Sequence, residues 1–292
     1  MTITTIDVNI DIKNCRGLEY LNTIPDNIID LILTDPPYII SRNTGMNKHY
    51  NDVKFNLNKL ERTEEQWIKF WKKYVKKNRI DEEEPNILEQ KQKEKQKKNY
   101  LKFGTIYGKK YCVRTDYGDW DNNFTLDVLE EFIKMFYIKL KKGGTCIIFF
   151  DLWKITDLKI LLEKYKFKQI RFIEWIKTNP QPLNSKRNYL TNCREIALTA
   201  VKGGKPTFNS KYDNGIYEYP LQGGKNRFHP TQKSLKLFET LIQKHSNEED
   251  LVVDPFLGGG TTAIACKNMN RRFKGCELSK EYYNNIIAIL NN

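Results

Sequence analysis

Short apolar runs alternate with helix-spaced apolar positions through much of the chain, and this alternation predicts its architecture. Residues Ile28 to Thr34, IIDLILT, form a β-branched run that reads as a buried parallel strand. It stops at Asp35-Pro36-Pro37-Tyr38, where two prolines remove ladder donors. From Thr125 to Leu140 apolar residues return at helical spacing (Val128, Leu129, Phe132, Ile133, Phe136), and Lys141-Lys142-Gly143-Gly144 supplies the cations and glycine expected at a helix end. Thr145 to Phe150 is a second buried strand, followed by a helix around Leu158 to Tyr165 and a strand from Gln169 to Trp175. The C-terminal third repeats the alternation: an amphipathic helix from Ser234 to His245, a strand from Leu251 to Asp254, a helix from Thr261 to Met269, a strand from Phe273 to Glu277 and a last helix from Glu281 to Leu290. Strands and helices in this succession predict parallel βαβ units with helices on both faces, an α/β fold.

Two stretches interrupt the pattern. Residues from about Ser41 to Tyr117 read as an insertion, because Glu61 to Lys102 holds thirteen Lys or Arg and nine Asp or Glu among few apolar positions. Within it Trp67, Phe70, Trp71 and Tyr74 share helical spacing, so part of the insertion is expected to pack on something, while KQKEKQKK (Lys91 to Lys98) reads as a solvated helix or arm. Lys202 to Phe228, rich in Gly, Asn and Tyr, reads as a long loop.

Charge changes the picture more than composition does. The 49 Lys and Arg against 36 Asp and Glu leave a net charge of +13, a field that attracts polyanions and points to nucleic acid. No long uncharged apolar run is present and the first ten residues do not resemble a secretory signal, so an intracellular, cytoplasmic protein is expected, with a nuclear one also open for a eukaryotic host. The six cysteines are never closer than ten residues, which fits neither paired metal ligands nor a dense disulfide framework, so buried thiols and no metal are expected.

Two segments carry chemistry. LVVDPFLGGGTTAIACKNM is an apolar strand, an acid at its end, then Gly258-Gly259-Gly260 opening a helix, where a ligand can approach the main chain closely. Glu277 lies 23 residues after Asp254, at the end of the next strand, where nucleotide-binding α/β units place a carboxylate for ribose hydroxyls. Neither Gly-x-x-x-x-Gly-Lys-Ser/Thr nor Gly-x-Gly-x-x-Gly spacing occurs, which favours an adenosine-bearing cofactor without phosphates. In Asp35-Pro36-Pro37-Tyr38, a carboxylate and the Pro36 carbonyl offer two acceptors to the two hydrogens of an exocyclic amino group, and Tyr38 offers a flat face to a base. The tetrapeptide alone also fits a plain Asx-Pro turn. Both segments follow strands, and parallel strands end at one sheet edge, so a single shared cleft is expected.

With these residues in place the chain resembles the β-class S-adenosylmethionine-dependent DNA amino-methyltransferases, which modify adenine N6 or cytosine N4. The matching stretches are IIDLILTDPPY, LKKGGTCIIFF, FIEWIKTNPQP, REIALTAVKGG, HPTQKSLKLFETLI, LVVDPFLGGGTTAIA and RRFKGCELSKEYY. The resemblance implies a Rossmann-like methyltransferase fold: a mostly parallel sheet with helices on both faces, and inserted DNA-binding segments in one catalytic domain over 1–292. Residues 41–117 would be an inserted basic segment, and 181–228 a target-recognition region. By position, Asp35, Pro36, Pro37 and Tyr38 would form the amino pocket. Asp254, Phe256, Gly258, Gly260 and Thr261 would line the cofactor's methionine part, with Thr231 and Lys233 of HPTQK beside it, Glu277 would bind the ribose, and Asp35, Pro255 and Leu278 would also be cofactor-binding. Asn14 stands where the family has an Asp that receives the adenine amino group, and it can accept through its amide oxygen. Trp175 and Lys177 match a family strand near the target pocket.

No Pro-Cys pair occurs, as carbon-5 methylation of cytosine would need, whereas an exocyclic amine requires no covalent intermediate. Asp rather than Ser at the first motif position points to adenine. The expected reaction is methyl transfer from S-adenosylmethionine to adenine N6 in double-stranded DNA, with the base flipped out of the stack. Cytosine N4 and RNA adenine are the nearest alternatives, and an inactive DNA-binding module of the same fold is the one from another class. Contacts with DNA are expected from Lys69, Lys72, Lys73, Lys76 and Lys77, and from Lys186, Arg187 and Lys211. The family also admits a homodimer and a cognate restriction endonuclease as partners.

Overall fold

A computed structural model describes residues 9–39, 62–78, 87–106, 124–180, 192–223 and 232–291. The chain divides into two compact units, one of residues 1–39 with 117–292 and one of residues 40–116.

The larger unit is built on a sheet whose strands are β1 (Ile10–Lys13), β2 (Ile29–Thr34), β3 (Leu140–Phe150), β4 (Lys168–Lys177), β5 (Arg194–Val201), β6 (Ile216–Tyr219), β7 (Leu251–Asp254) and β8 (Arg272–Cys276). Their spatial order is β1-β8-β7-β2-β3-β5-β4-β6. Every pairing is parallel except those of β5, which runs against both β3 and β4. The helices are α1 (Gly17–Thr23), α4 (Leu126–Lys139), α5 (Ile155–Lys164), α6 (Leu235–His245), α7 (Thr261–Asn268) and α8 (Lys280–Leu290); α2 (Glu64–Asn78) and α3 (Ile87–Phe103) belong to the smaller unit.

Side-chain alternation along the central strands explains the two helical layers. Ile32, Cys146, Ile148, Phe150 and Val253 face a core shared with Tyr20 and Leu21 of α1, Phe132 and Phe136 of α4, and Leu158 and Leu162 of α5. Leu31, Leu33, Ile147, Phe149 and Val252 face the opposite way, onto Leu237, Phe238 and Leu241 of α6, Ala263 and Cys266 of α7, and Ile286 of α8. All six residues of β2 are buried, which is why the strand reads as one continuous apolar run.

Three expectations need correction. Lys141-Lys142-Gly143-Gly144 does not close α4: the helix ends at Lys139, Leu140 caps it, and the four residues lie inside β3. Gly143 is required there because its φ is +85° and a Cβ would meet the Lys205 carbonyl oxygen at 2.5 Å. The alternation is not parallel throughout, since β5 inserts antiparallel between β3 and β4. The stretch from Lys202 to Phe228 is not all loop, for Ile216–Tyr219 pairs with β4 as an edge strand. The short β1 also lacks a legible apolar pattern in the sequence, with only four residues.

In the smaller unit, α2 (Glu64–Asn78) opens with a reciprocal cap: the Gln66 amide nitrogen donates to Thr63 Oγ1, and Gln66 Oε1 accepts from the Thr63 amide. Trp67, Phe70, Trp71 and Tyr74 form an aromatic stripe. Trp67 and Phe70 meet Tyr100 of α3 (Ile87–Phe103) with centroids 5.5 and 4.4 Å away. Trp67 is 5% exposed, so the stripe has found its packing partner in the neighbouring helix. Lys91 to Lys98 lie within α3.

Candidate active site

β2 and β7 are neighbours in register (Leu31 with Val252, Ile32 with Val253), so the loops that follow them start side by side. Asp254, at the end of β7, is 2% exposed and accepts three hydrogen bonds. Thr34 Oγ1 and the Phe256 amide donate to its Oδ1 at 2.7 and 3.0 Å, and Thr262 Oγ1 donates to its Oδ2 at 2.5 Å. Burial pushes its pKa up to about 6 in spite of those donors. The turn that follows is shaped by Gly258 and Gly260, both with positive φ (52° and 75°), and by Glu277, whose two carboxylate oxygens accept from the Gly258 and Ser279 amides at 2.8 Å each. Burial raises the Glu277 pKa, and the amide donors oppose that shift. The Asn14 amide nitrogen donates to the carbonyls of Glu277 and Leu278 at 2.8 and 3.0 Å, which leaves its oxygen as the acceptor for a ligand.

A second group converges on the same edge because β5 is antiparallel. A strand that runs backwards brings its beginning to the edge where β3 and β4 end: Ile196 pairs with Phe150, and Glu195 with Trp175. Glu195 therefore reaches the mouth of the sheet. Its Oε1 pairs with Lys177 Nζ at 2.6 Å and its Oε2 with Lys233 Nζ at 2.5 Å. Lys233 Nζ also lies 2.8 Å from Asp35 Oδ2 and 3.4 Å from Tyr38 Oη. Burial raises the proton affinity of Asp35 despite the Lys233 charge. For Glu195 the two ammonium groups outweigh burial and lower the pKa, while Asp35 and Glu195 outweigh burial at Lys233 and hold it charged.

Asp35, Gln232, Lys233, Asp254, Phe256, Gly258, Gly259 and Thr261 line one cleft together with Phe238, Leu257 and Thr262. Two acceptors, Asp35 Oδ1 and Gln232 Oε1, are buried with no hydrogen-bond partner among the described residues. Buried acceptors left unpaired beside an open glycine turn are what a ligand bearing N–H or ammonium donors would satisfy, so the residues present fit S-adenosylmethionine and an amino group.

The structure thus brings Asp35, Lys233, Asp254, Phe256, Gly258 and Thr261 to one cleft, with Gly260 in its turn and Tyr38 beside Lys233. Pro255 turns its carbonyl toward the Cys276 thiol, and Leu278 is 46% exposed. Lys233 directs its ammonium to Asp35, Glu195 and Tyr38, the amino-pocket side of the cleft. Trp175 is fully buried, its indole nitrogen donating to the Tyr219 carbonyl at 2.8 Å. Lys69, Lys72, Lys73, Lys76 and Lys77 are exposed on α2, and Lys211 is exposed ahead of β6. Thr231, Lys186 and Arg187 lie outside the described residues, as do much of 41–117 and part of 181–228. Sequence reasoning missed Glu195, Gln232, Thr34 and Thr262. A lone acid opening the apolar run IALTA was the available signal for Glu195.

Comparison with known proteins gives this geometry a family. A family model described as DNA methylase matches residues 29–289. The type II methyltransferase M2.DpnII of Streptococcus pneumoniae is 34% identical over 191 residues, covering 58% of this chain and 70% of that protein. M2.MboI of Moraxella bovis, also a type II methyltransferase, is 28% identical over 311 residues, covering 98% and 92%. Among solved structures, the complex of M1.HpyAVI with S-adenosylmethionine superposes with a TM-score of 0.56 at 25% identity, covering 96% of this chain and 99% of that one. The cytosine-N4-specific PvuII DNA methyltransferase shares the fold at a TM-score of 0.60 and 16% identity, covering 96% and 85%. With a family match across nearly the whole chain and a cleft built from the ends of β2 and β7, the protein belongs to the DNA methylase family of amino-methyltransferases.

Proposed function

We propose that this DNA methyltransferase acts on the N6 amino group of adenine at a specific site in double-stranded DNA, with S-adenosylmethionine as methyl donor. The observation that carries an exocyclic amine as the methyl acceptor is the unpartnered Asp35 Oδ1, buried in the same cleft as the Gly258-Gly259 turn, and Asp rather than Ser at that motif position favours adenine. When bound, S-adenosylmethionine supplies an electrophilic methyl group on a sulfonium. Gly258, Gly259 and Phe256 would hold it, with Gln232 Oε1 and Asn14 Oδ1 as the acceptors open to its ammonium and adenine amino donors. Glu277, whose oxygens hold the Gly258 and Ser279 amides, shapes the turn that receives the ribose.

Asp35 Oδ1 and the Pro36 carbonyl accept the two hydrogens of the target amine and direct its lone pair at the methyl. As the new C–N bond forms, the methyl's bond to the sulfonium sulfur would break and its electron pair stay on sulfur, leaving a neutral thioether, while the nitrogen gains positive charge and Asp35 Oδ1 would receive the proton it then loses. The upward shift of the Asp35 pKa by burial suits that proton acceptance. Tyr38 offers its ring to the flipped base, whose unstacking costs a few kcal/mol. Lys69, Lys72, Lys73, Lys76, Lys77 and Lys211 meet the phosphate backbone, and 181–228 together with 41–117 supplies recognition of the site.

Incubation with DNA and labelled S-adenosylmethionine, followed by mass spectrometry of the nucleosides, tests this. N6-methyladenine is expected, and its formation is expected to be abolished by Asp35→Ala. N4-methylcytosine, or product in RNA alone, refutes the choice of substrate.

A further inference from the structure

Glu195 joins two lysines to the amino pocket without lining the cleft itself. An ammonium has three hydrogens, and Lys233 Nζ has three acceptors around it: Asp35 Oδ2 at 2.8 Å, Glu195 Oε2 at 2.5 Å and Tyr38 Oη at 3.4 Å. Lys177 fixes the other oxygen of Glu195 at 2.6 Å, so the carboxylate is held at both ends. The aromatic rings of Phe149 and Tyr38 lie 5.4 and 5.5 Å from the Lys233 ammonium and confine it further.

We propose that Glu195 is a positioning residue for methyl transfer: by holding one side of the Lys233 ammonium, it restricts that ammonium to a single oxygen of Asp35 and keeps Asp35 Oδ1 open for the target amine. The inference rests on Asp35 being the amine acceptor. Without the Glu195 charge the whole attraction of Lys233 falls on Asp35. A charge-assisted hydrogen bond is roughly twice as strong as one from a neutral amine, so the ammonium then outcompetes the substrate for Oδ1. The glycine turn and its cofactor contacts are untouched by that exchange.

The test uses the full chain and unmethylated genomic DNA, with methyl-transfer rates expressed per cofactor-binding site. Glu195→Gln is expected to lower kcat about 10- to 100-fold, less than the roughly 100- to 1,000-fold that losing a donor at the reacting atoms costs, while the Kd for S-adenosylmethionine stays within about twofold. Glu195→Asp, which keeps the charge, is expected to recover most of that loss. The proposal is overturned if Glu195→Gln turns over within about twofold of the parent, if Glu195→Asp is as slow as Glu195→Gln, or if cofactor binding falls in step with the rate. Asp35→Asn separates the two levels. Full activity in Asp35→Asn removes the acceptor assignment and this inference together, whereas an inactive Asp35→Asn beside a fully active Glu195→Gln removes this inference alone.

Discussion

The Thr34 hydroxyl donates to Asp254 Oδ1 at 2.7 Å, a buried hydrogen bond between residues 220 positions apart. It ties the end of β2 to the end of β7 and so sets the spacing between the amino pocket and the glycine turn. Thr34→Val keeps the shape and removes the donor. It is expected to cost about 1 to 3 kcal/mol in denaturant unfolding, as for other lost buried partners, and to slow methyl transfer about tenfold or more through misplacement of the two loops. A stability equal to that of the parent would contradict this role.

Asp254 gives stability an unusual pH dependence. Its pKa is about 6 in the folded chain against an ordinary carboxylate value of 3.8, so between these values the folded form holds a proton that the unfolded form releases. Its contribution therefore favours folding at low pH and declines as pH rises through about 6. Asp254→Asn removes the titration. The stability of the parent relative to this variant is expected to fall by on the order of 2 to 3 kcal/mol between pH 4 and pH 7.5, measured by urea unfolding at each pH. A constant difference across that range would show that the carboxylate does not titrate there.

Glu277 is bonded through both oxygens to backbone amides, Gly258 and Ser279. Glu277→Gln leaves one oxygen to accept and turns an N–H toward the other amide donor. The glycine turn is expected to loosen, raising the Kd for S-adenosylmethionine about 10- to 100-fold, the equivalent of one buried donor left unpaired. Isothermal titration of the cofactor reads this directly, and unchanged affinity would show that the Glu277 bonds to Gly258 and Ser279 do not shape the cofactor turn.

Gly275 lies on β8 beside the end of β7 that leads into the same turn. A Cβ there would come within 2.6 Å of the Phe273 ring and 2.7 Å of the Asp254 carbonyl oxygen, and Asp254 is its ladder partner. Gly275→Ala can be accommodated only by parting β7 from β8, and is expected to cost about 1 to 3 kcal/mol. Its thermal midpoint should fall, with weaker cofactor binding; a variant as stable as the parent would show that the strands yield more easily.

The sequence by itself determined the local elements and the two loops of the cleft. IIDLILT and LVVD are apolar runs whose periodicity and flanking proline and glycine belong to the segments themselves, and the family motifs follow the same local order. Helical spacing likewise foretold the aromatic stripe of α2, although not that Tyr100 would cover it. Tertiary structure alone decided what depends on pairing and direction. Thr34 reads as the last residue of a strand until β7 is placed beside it. Glu195 reads as a solvated charge, and the family motifs that put Lys177 and Lys233 near the cleft show no partner joining them, until an antiparallel β5 carries Glu195 to the edge where the parallel strands end. Strand direction is a long-range property that no local pattern records, and a charge shows its partner only once both have been withdrawn from water.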